Sequence, residues 1–271
     1  MKQTLSILLI LSLFIFAIRS EAANPRLKEL TFQNGERITY ITSYALGFLY
    51  TDVAEVVVEA NKTSDYPEKY HVKGVGKTYR FYDRIFRVRD TYESYFSLPE
   101  FKSLYFHRDI SEGSYQIKNS YSFDWENRKI KGSVEYKNET EQVSLAMSKG
   151  QDFDVLTCFY YFRNIDLEKG GINKIYPISV ALDDGVYNIG CQYAGKEQRK
   201  IKELGGKVDC IKLNLQVIAG EVFKGHEVIT IWVSDDENRI PLEMEFPIRI
   251  GKMKVRIQHY ENLKTPIKIA E

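Results

Sequence analysis

The chain has 271 residues, with 38 basic and 37 acidic side chains, and Tyr outnumbers Phe among its aromatic residues. This near balance of charge gives no electrostatic case for binding nucleic acid or an anionic membrane. Because no low-complexity linker or long repeat divides the chain, we expect one domain.

The first 22 residues have the pattern of a cleaved secretory signal. Lys2 precedes an apolar run from Leu5 to Ile18, and the small residue Ala22 stands before Ala23. The run is shorter than the roughly 20 apolar residues that span a bilayer. We therefore expect residues 1–22 to be removed on export. Residues 23–271 would then form one β-rich domain that carries no net charge and is not an integral membrane protein.

Alternation of apolar and polar residues predicts several strands. Residues 39–44, 52–60 and 211–217 alternate with a period of two, which is typical of a sheet with one wet face. Residues 228–233 are apolar on both faces, which predicts a central strand. The segment 77–90 fits a strand and a helical stripe equally well.

One segment has helical rather than strand periodicity. Residues 152–164 place Val155, Phe159 and Phe162 on one stripe, and either Asp152 or Asp154 could serve as the N-cap. The faces are nearly all apolar, so we expect this helix to pack against the sheet.

A hairpin is predicted near the C-terminus. Apolar residues fall on even positions over 242–250 and on odd positions over 253–257, on either side of Gly251 and Lys252. A two-residue turn would pair Ile250 with Met253 and Phe246 with Ile257. The predicted fold is mainly β: a single-domain curled antiparallel sheet or partial β-barrel with one or two packed helices.

The three cysteines are an odd number for an oxidising compartment. Cys191 and Cys210 could form a disulfide, although the strand pattern places them among different kinds of neighbours. Cys158 lies in the apolar helix, where its thiol should be an inert structural group.

The sequence does not predict a catalytic residue, a cofactor or a metal site. The four histidines are scattered, and the chain has no Cys-x-x-Cys, no Gly-x-Ser-x-Gly and no phosphate-binding glycine loop. We therefore expect a protein that is not an enzyme.

Two groups of polar residues have alternative interpretations. Asp235 and Asp236 beside Arg239 could be a pair of catalytic carboxyls, but a turn stabilised by Asp side chains is the stronger interpretation. Arg163 could bind an anion inside a cavity, or it could interact with the last carbonyls of its own helix.

Three segments of the chain resemble a known family. Residues 32–40, the aromatic stretch 152–163, and residues 231–241 with the pattern Trp-x-Ser-Asp-Asp-x-x-Arg-x-Pro are similar, in that order, to an exported bacterial family, domain of unknown function 3108. The resemblance implies a protein of the periplasm or cell surface of a Gram-negative bacterium, without an assigned activity. It also implies a long antiparallel sheet curled into a partial barrel with a helix packed on it.

Three functions are consistent with these observations. The first is a non-enzymatic binding protein that holds an apolar or lipid-like ligand in the curled sheet, with Tyr161, Arg163, Trp232, Asp235 and Arg239 as the candidate ligand-binding residues. The alternative is an envelope assembly protein that acts on a protein partner through its surface. The least favoured is a hydrolase that uses Asp235 and Asp236.

Overall fold

The computed structural model describes residues 29–66, 68–148, 150–219, 228–248 and 250–270, without the side chains of 216–219. The expected signal segment, residues 1–22, lies outside the described residues. Within the described part of the chain, no helix has the length and apolar character needed to cross a bilayer.

The described residues form fifteen strands and one α-helix. The strands are β1 Glu36–Leu46, β2 Leu49–Lys62, β3 Lys69–Thr78, β4 Val88–Ser97, β5 Lys102–Glu112, β6 Tyr115–Asp124, β7 Lys129–Tyr136, β8 Glu139–Ala146, β9 Asp152–Phe153, β10 Ile175–Leu182, β11 Gly185–Ile201, β12 Gly206–Ala219, β13 Ile229–Ser234, β14 Pro241–Pro247 and β15 Lys252–Glu261. The helix α1 spans Val155–Arg163. Short 3₁₀ turns occupy Tyr82–Arg84, Leu167–Gly170 and Lys202–Leu204.

All fifteen strands belong to one sheet, in the order β8-β7-β6-β5-β4-β3-β2-β1-β15-β14-β13-β12-β11-β10-β9. Neighbouring strands are antiparallel, except that β9 runs parallel to β10. The chain is therefore two meanders joined where β1 pairs with β15. Since β8 and β9 stay at opposite edges, the sheet is not closed into a barrel. This confirms the predicted mainly β, single-domain, curled antiparallel fold.

The helix lies inside the curl of the sheet. It contacts β3 and β4 from one meander and β9 and β10 from the other. Strands so far apart in the sheet can reach one helix only if the sheet bends around it. Side chains of α1, including Leu156, Tyr160 and Tyr161, join buried residues of both meanders in one apolar core.

The turn between β10 and β11 closes the open side of the curl. Ala181 and Val186 pack with Phe106 and other apolar residues of β5 to β8 in a second buried cluster. Asp183, in this turn, forms an ion pair with the buried Arg108 of β5. The two edges of the open sheet are thus joined by packing, by this ion pair and by a hydrogen bond from the hydroxyl of Tyr121 to the carbonyl of Asp183, and not by a ladder of strand hydrogen bonds.

The helix begins at one of the two predicted caps. Asp154 is the N-cap, and its carboxylate accepts hydrogen bonds from the backbone N–H groups of Leu156 and Thr157, each at 2.9 Å. The predicted stripe is partly wrong, because Val155 is exposed while Tyr160 is buried.

The segment 77–90 is neither a full strand nor a helix, since β3 ends, a 3₁₀ turn follows, and β4 begins at Val88.

The predicted C-terminal hairpin forms, but its register was wrong. Phe246 pairs with Met253, and Pro247 with Lys252. A proline has no N–H to donate to a strand pair, so β14 stops at Pro247 and a longer turn ends at Gly251, whose φ is +82°. The shift from the predicted pairing is four residues, an even number, so the same apolar residues still share one face.

The three cysteines are free. Cys191 lies opposite Leu215, whereas Cys210 lies opposite Glu197, five residues away from Leu215 along β12. Five residues along a strand correspond to about 17 Å, which is too far for a disulfide. Cys158 is half-buried, and burial raises the pKa of its thiol well above its usual value, as expected of an inert cysteine.

Candidate functional site

The turn between β13 and β14 is built by hydrogen bonds within the Ser-Asp-Asp signature. One carboxylate oxygen of Asp236 accepts from the hydroxyl of Ser234 at 2.7 Å and from the backbone N–H groups of Asn238 at 2.9 Å and Arg239 at 3.2 Å. The Ser234 hydroxyl in turn accepts from the N–H of Ile240. The favoured interpretation of Asp236 as a turn residue is therefore confirmed.

This turn forms one wall of an open cleft of about 530 Å³. The first described residues, 29–31, form a second wall, and Lys264 and Lys268 from the segment after β15 form a third. Both Asp235 and Arg239, two of the predicted ligand-binding residues, line this cleft.

Most charges around the cleft are paired. The ammonium group of Lys196 lies 2.7 Å from carboxylate oxygens of both Asp235 and Glu168, and these hydrogen bonds raise the pKa of Lys196. Arg239 donates to Glu168 at 3.3 Å and to the carbonyl of Ile165. The Arg239 guanidinium thus pairs with the segment after α1 and not across its own turn.

Arg163 lies directly beneath the cleft wall. Its guanidinium forms two parallel hydrogen bonds with the carboxylate of Glu36, at 2.6 and 2.8 Å. It also donates to the backbone carbonyls of Thr31 and Asn238. Burial lowers the pKa of Arg163, but the charge of Glu36 and the hydrogen bonds to it outweigh that effect, so the pKa is raised.

The contacts of Arg163 correct both sequence-based interpretations of it. Its donors are occupied by Glu36 and by carbonyls of other segments, so the guanidinium is neither an open anion site nor a cap for its own helix. Because Thr31 and Asn238 both flank the cleft, the buried pair of Arg163 and Glu36 fixes two of the cleft walls to α1 and β1.

The other predicted residues lie elsewhere. Tyr161 is 2% exposed and packs against Phe153, with ring centroids 4.5 Å apart. Trp232 lies under the guanidinium of Arg199, 4.3 Å from its ring centroid, and donates to Glu197. Of the five candidates, only Asp235 and Arg239 share the cleft.

The carboxyl pair in the cleft is poorly arranged for acid–base catalysis. Asp235 is held by Lys196, and one oxygen of Asp236 is saturated by the donors of its turn. A catalytic carboxyl pair needs two groups that are free to exchange protons in different environments. No group of three or more His, Cys, Asp or Glu residues suited to a metal ion occurs among the residues with described positions.

Sequence reasoning missed Glu36, Glu168 and Lys196. Each of them reaches its partner from a distant part of the chain, and only Glu36 stood in a segment that the family pattern singled out. The available signal in the sequence was Arg163, since a cation in an apolar helix needs a buried partner such as a carboxylate.

The fold is similar to that of a solved bacterial protein. A β-barrel-like protein of the domain of unknown function DUF1849 from Brucella abortus superposes with a TM-score of 0.57 at 11% identity, covering 87% of this chain and 100% of that protein. A protein from Bacteroides fragilis, named as exported and with a YmcC-like fold, gives a TM-score of 0.34 at 10% identity, covering 85% of this chain and 97% of its own.

A protein from Parabacteroides distasonis that is named as a lipoprotein gives a TM-score of 0.32 at 8% identity, covering 86% of this chain and 98% of its own. No curated protein is significantly similar to the chain. The model of the family described as a protein of unknown function, DUF3108, matches residues 39–258. The match covers most of the sequence, and the chain therefore belongs to the DUF3108 family.

Proposed function

We propose that this protein is a non-enzymatic component of the bacterial envelope that acts through its surface, with the curled sheet as a filled, rigid scaffold. The signal pattern of residues 1–22 supports an exported protein, in the periplasm or at the cell surface of a Gram-negative bacterium. No second domain is needed to account for the described residues, which share one sheet.

The observation that carries this proposal is the packing inside the curl. Phe32 and Phe96 lie with their ring centroids 4.7 and 6.1 Å from that of Tyr160, and Phe96 stacks on Phe101 at 5.6 Å. All four of these aromatic rings are 2% exposed or less. An acyl chain between helix and sheet would have to displace these contacts.

The aromatic residues inside the curl, including the candidate Tyr161, are better explained as core than as the lining of a ligand site. Tyr40 and Tyr161 are each 2% exposed, and they belong to the same apolar cluster as the helix. Phe159 is partly buried against that cluster. Ligand pockets are concave, mostly apolar and about 300 to 1,000 Å³ in volume. The cleft of about 530 Å³ at the signature turn has this size, but it is lined mainly by charged residues.

The structural bonds of the signature residues support a non-enzymatic role. Ser234, Asp236 and Arg239 hold a turn together, and Asp235 is bound to Lys196. The stability of the turn therefore explains the residues of the family pattern, and no catalysed reaction is needed to explain them.

Native mass spectrometry, combined with lipid extraction, tests the proposal on exported protein purified from its own host. We expect the mass of the polypeptide alone and no stoichiometric acyl species in the extract. A bound acyl species at one copy per chain would overturn the proposal and favour a carrier; Tyr161→Ala and Trp232→Ala would then be the first variants to compare for lipid retention.

A further inference from the structure

Three loops of the sheet project side by side at the end opposite the signature turn. They are the β1–β2 turn with the strand ends beside it, residues 46–50; the β3–β4 loop, residues 79–87; and the described residues of the β14–β15 turn, 248 and 250–251. Adjacent strands bring them together, because Ala45 pairs with Lys252 and Ala54 pairs with Thr78. We call these three loops the apolar rim.

The rim exposes more large apolar side chains, close together, than the surface of a soluble protein normally carries. Phe48 is fully exposed, Ile85 and Phe81 are 73% and 70% exposed, and Ile250 is 62% exposed. The remaining exposed apolar side chains of the rim are Leu46, Leu49, Tyr50, Phe86 and Ile248. They contribute little to the core, so packing does not account for them.

Contacts between the loops fix the rim in place. The hydroxyls of Tyr82 and Thr51 are hydrogen bonded, and the N–H of Tyr79 donates to the carbonyl of Val53 at 3.0 Å. On the other side, the hydroxyl of Tyr44 donates to the carbonyl of Ile250 at 3.1 Å. The three loops therefore present one preformed surface.

The rim carries positive charge among its apolar groups. Arg80, Arg84 and Arg87 are exposed in the β3–β4 loop, and none of them forms an ion pair with another described residue. The one acidic side chain of this loop, Asp83, is occupied by Arg89 and by the hydroxyl of Thr78. The balanced charge of the whole chain thus conceals a local excess of cations in the β3–β4 loop.

We propose that the apolar rim docks onto the surface of a bilayer that contains anionic phospholipid. Side chains such as Phe48, Phe81 and Ile85 would enter the interface between headgroups and acyl chains, while Arg80 and Arg84 would bind lipid phosphates. This inference rests on the proposed surface function, and it identifies the bilayer as the partner that the protein surface contacts.

A protein partner fits the rim less well. The centre of a protein interface is depleted of charge, and shape complementarity there resembles that of a protein interior. On the rim, arginines stand directly beside the apolar side chains: Arg80 precedes Phe81, and Arg84 precedes Ile85. A lipid interface suits this pattern, because the acyl region that takes up apolar side chains lies next to the phosphates that bind cations.

Vesicle co-sedimentation of the exported protein tests the inference. Vesicles of phosphatidylethanolamine with phosphatidylglycerol are compared with vesicles of phosphatidylcholine alone. We expect binding to the anionic vesicles that weakens with added salt, a loss of about tenfold for the double variant Phe48→Ser, Phe81→Ser, and a comparable loss for Arg80→Glu, Arg84→Glu.

Ile172→Ser is the matched control, because Ile172 is 66% exposed but lies before β10, at the signature end of the sheet. This variant should bind vesicles as the unchanged protein does. Equal binding to both kinds of vesicle, no binding to either, or unchanged binding by the rim variants would overturn the inference. If the vesicle experiment overturned the inference but native mass spectrometry still found protein without bound lipid, the proposed surface function would stand. The occupant of the rim would then be a protein partner instead of a bilayer.

Discussion

Arg163 and Glu36 form a buried bidentate ion pair although they are 127 residues apart in the sequence. Their side chains are 1% and 0% exposed. The pair joins the end of α1 to the start of β1, where the two meanders meet, and it supports two walls of the cleft through Thr31 and Asn238. It therefore connects the core of the fold to the signature turn.

Glu36→Gln should destabilise the protein strongly. Loss of the carboxylate leaves the guanidinium of Arg163 buried without a counter-charge, which costs about 3 to 5 kcal/mol in unfolding free energy. Urea unfolding followed by circular dichroism measures this loss. The double variant Glu36→Leu, Arg163→Met removes both charges and should recover much of the stability. A loss below about 1 kcal/mol for Glu36→Gln would contradict the assigned role of the pair.

Asp236→Ala should destabilise the signature turn. Three hydrogen bonds to one oxygen are lost, at about 0.5 to 1.5 kcal/mol each, so we expect a loss of about 2 to 3 kcal/mol. Glu237→Ala changes the neighbouring exposed residue of the same turn and should shift stability by no more than about 0.5 kcal/mol. Equal effects of the two substitutions on the urea midpoint would show that the Asp236 bonds do not support the turn.

Asp90 should make stability depend on pH. Burial raises the pKa of its carboxyl to about 6, and the charge of Glu112 adds to the rise. A carboxyl with a raised pKa in the folded state stabilises the fold below its unfolded pKa, near 4, and this stabilisation is lost as the pH rises to about 6.

The loss between about pH 4 and about pH 6 should reach up to about 3 kcal/mol, since one pKa unit corresponds to about 1.4 kcal/mol. Asp90→Asn should remove this part of the pH dependence in urea unfolding, whereas Asp109→Asn, on the other face of the same strand pair, should keep it. Identical pH profiles for the unchanged protein and Asp90→Asn would show that the Asp90 carboxyl does not cause the loss of stability between about pH 4 and about pH 6.

Asp183→Asn should loosen the closure of the curl. The substitution tolerates the positive φ of 50° at this position but removes the charge that pairs with the buried Arg108. Hydrogen exchange in β10 and β11 should accelerate by about tenfold. Asp184→Asn, on the exposed neighbour in the same turn, is the control. If both variants exchange at the rate of the unchanged protein, the ion pair does not contribute to the closure of the curl.

Much of the fold followed from local sequence patterns. Strict alternation located β1, β2 and β12, and the cap at Asp154 located α1, because both signals depend only on neighbours in the chain. The predicted register of the last hairpin was wrong, since the apolar alternation fits any even shift and only Pro247 decides where the strand ends.

The candidate site could be predicted only in part. The turn chemistry of Asp236 was local and was predicted correctly. The pairing of Arg163 with Glu36 and of Lys196 with Glu168 was not, because these contacts depend on how distant strands curl around the helix. The apolar rim was missed for the same reason: its three loops are separated in sequence, and only the strand order places them together.

Hydrogen exchange, measured with and without anionic vesicles, tests most directly whether the protein works through its surface or its interior. The account predicts slower exchange in peptides that cover residues 44–51 and 79–88, with no change in the helix Val155–Arg163. Slower exchange confined to the helix and the strands around it, with an unchanged rim, would contradict the account and indicate that lipid enters the curl.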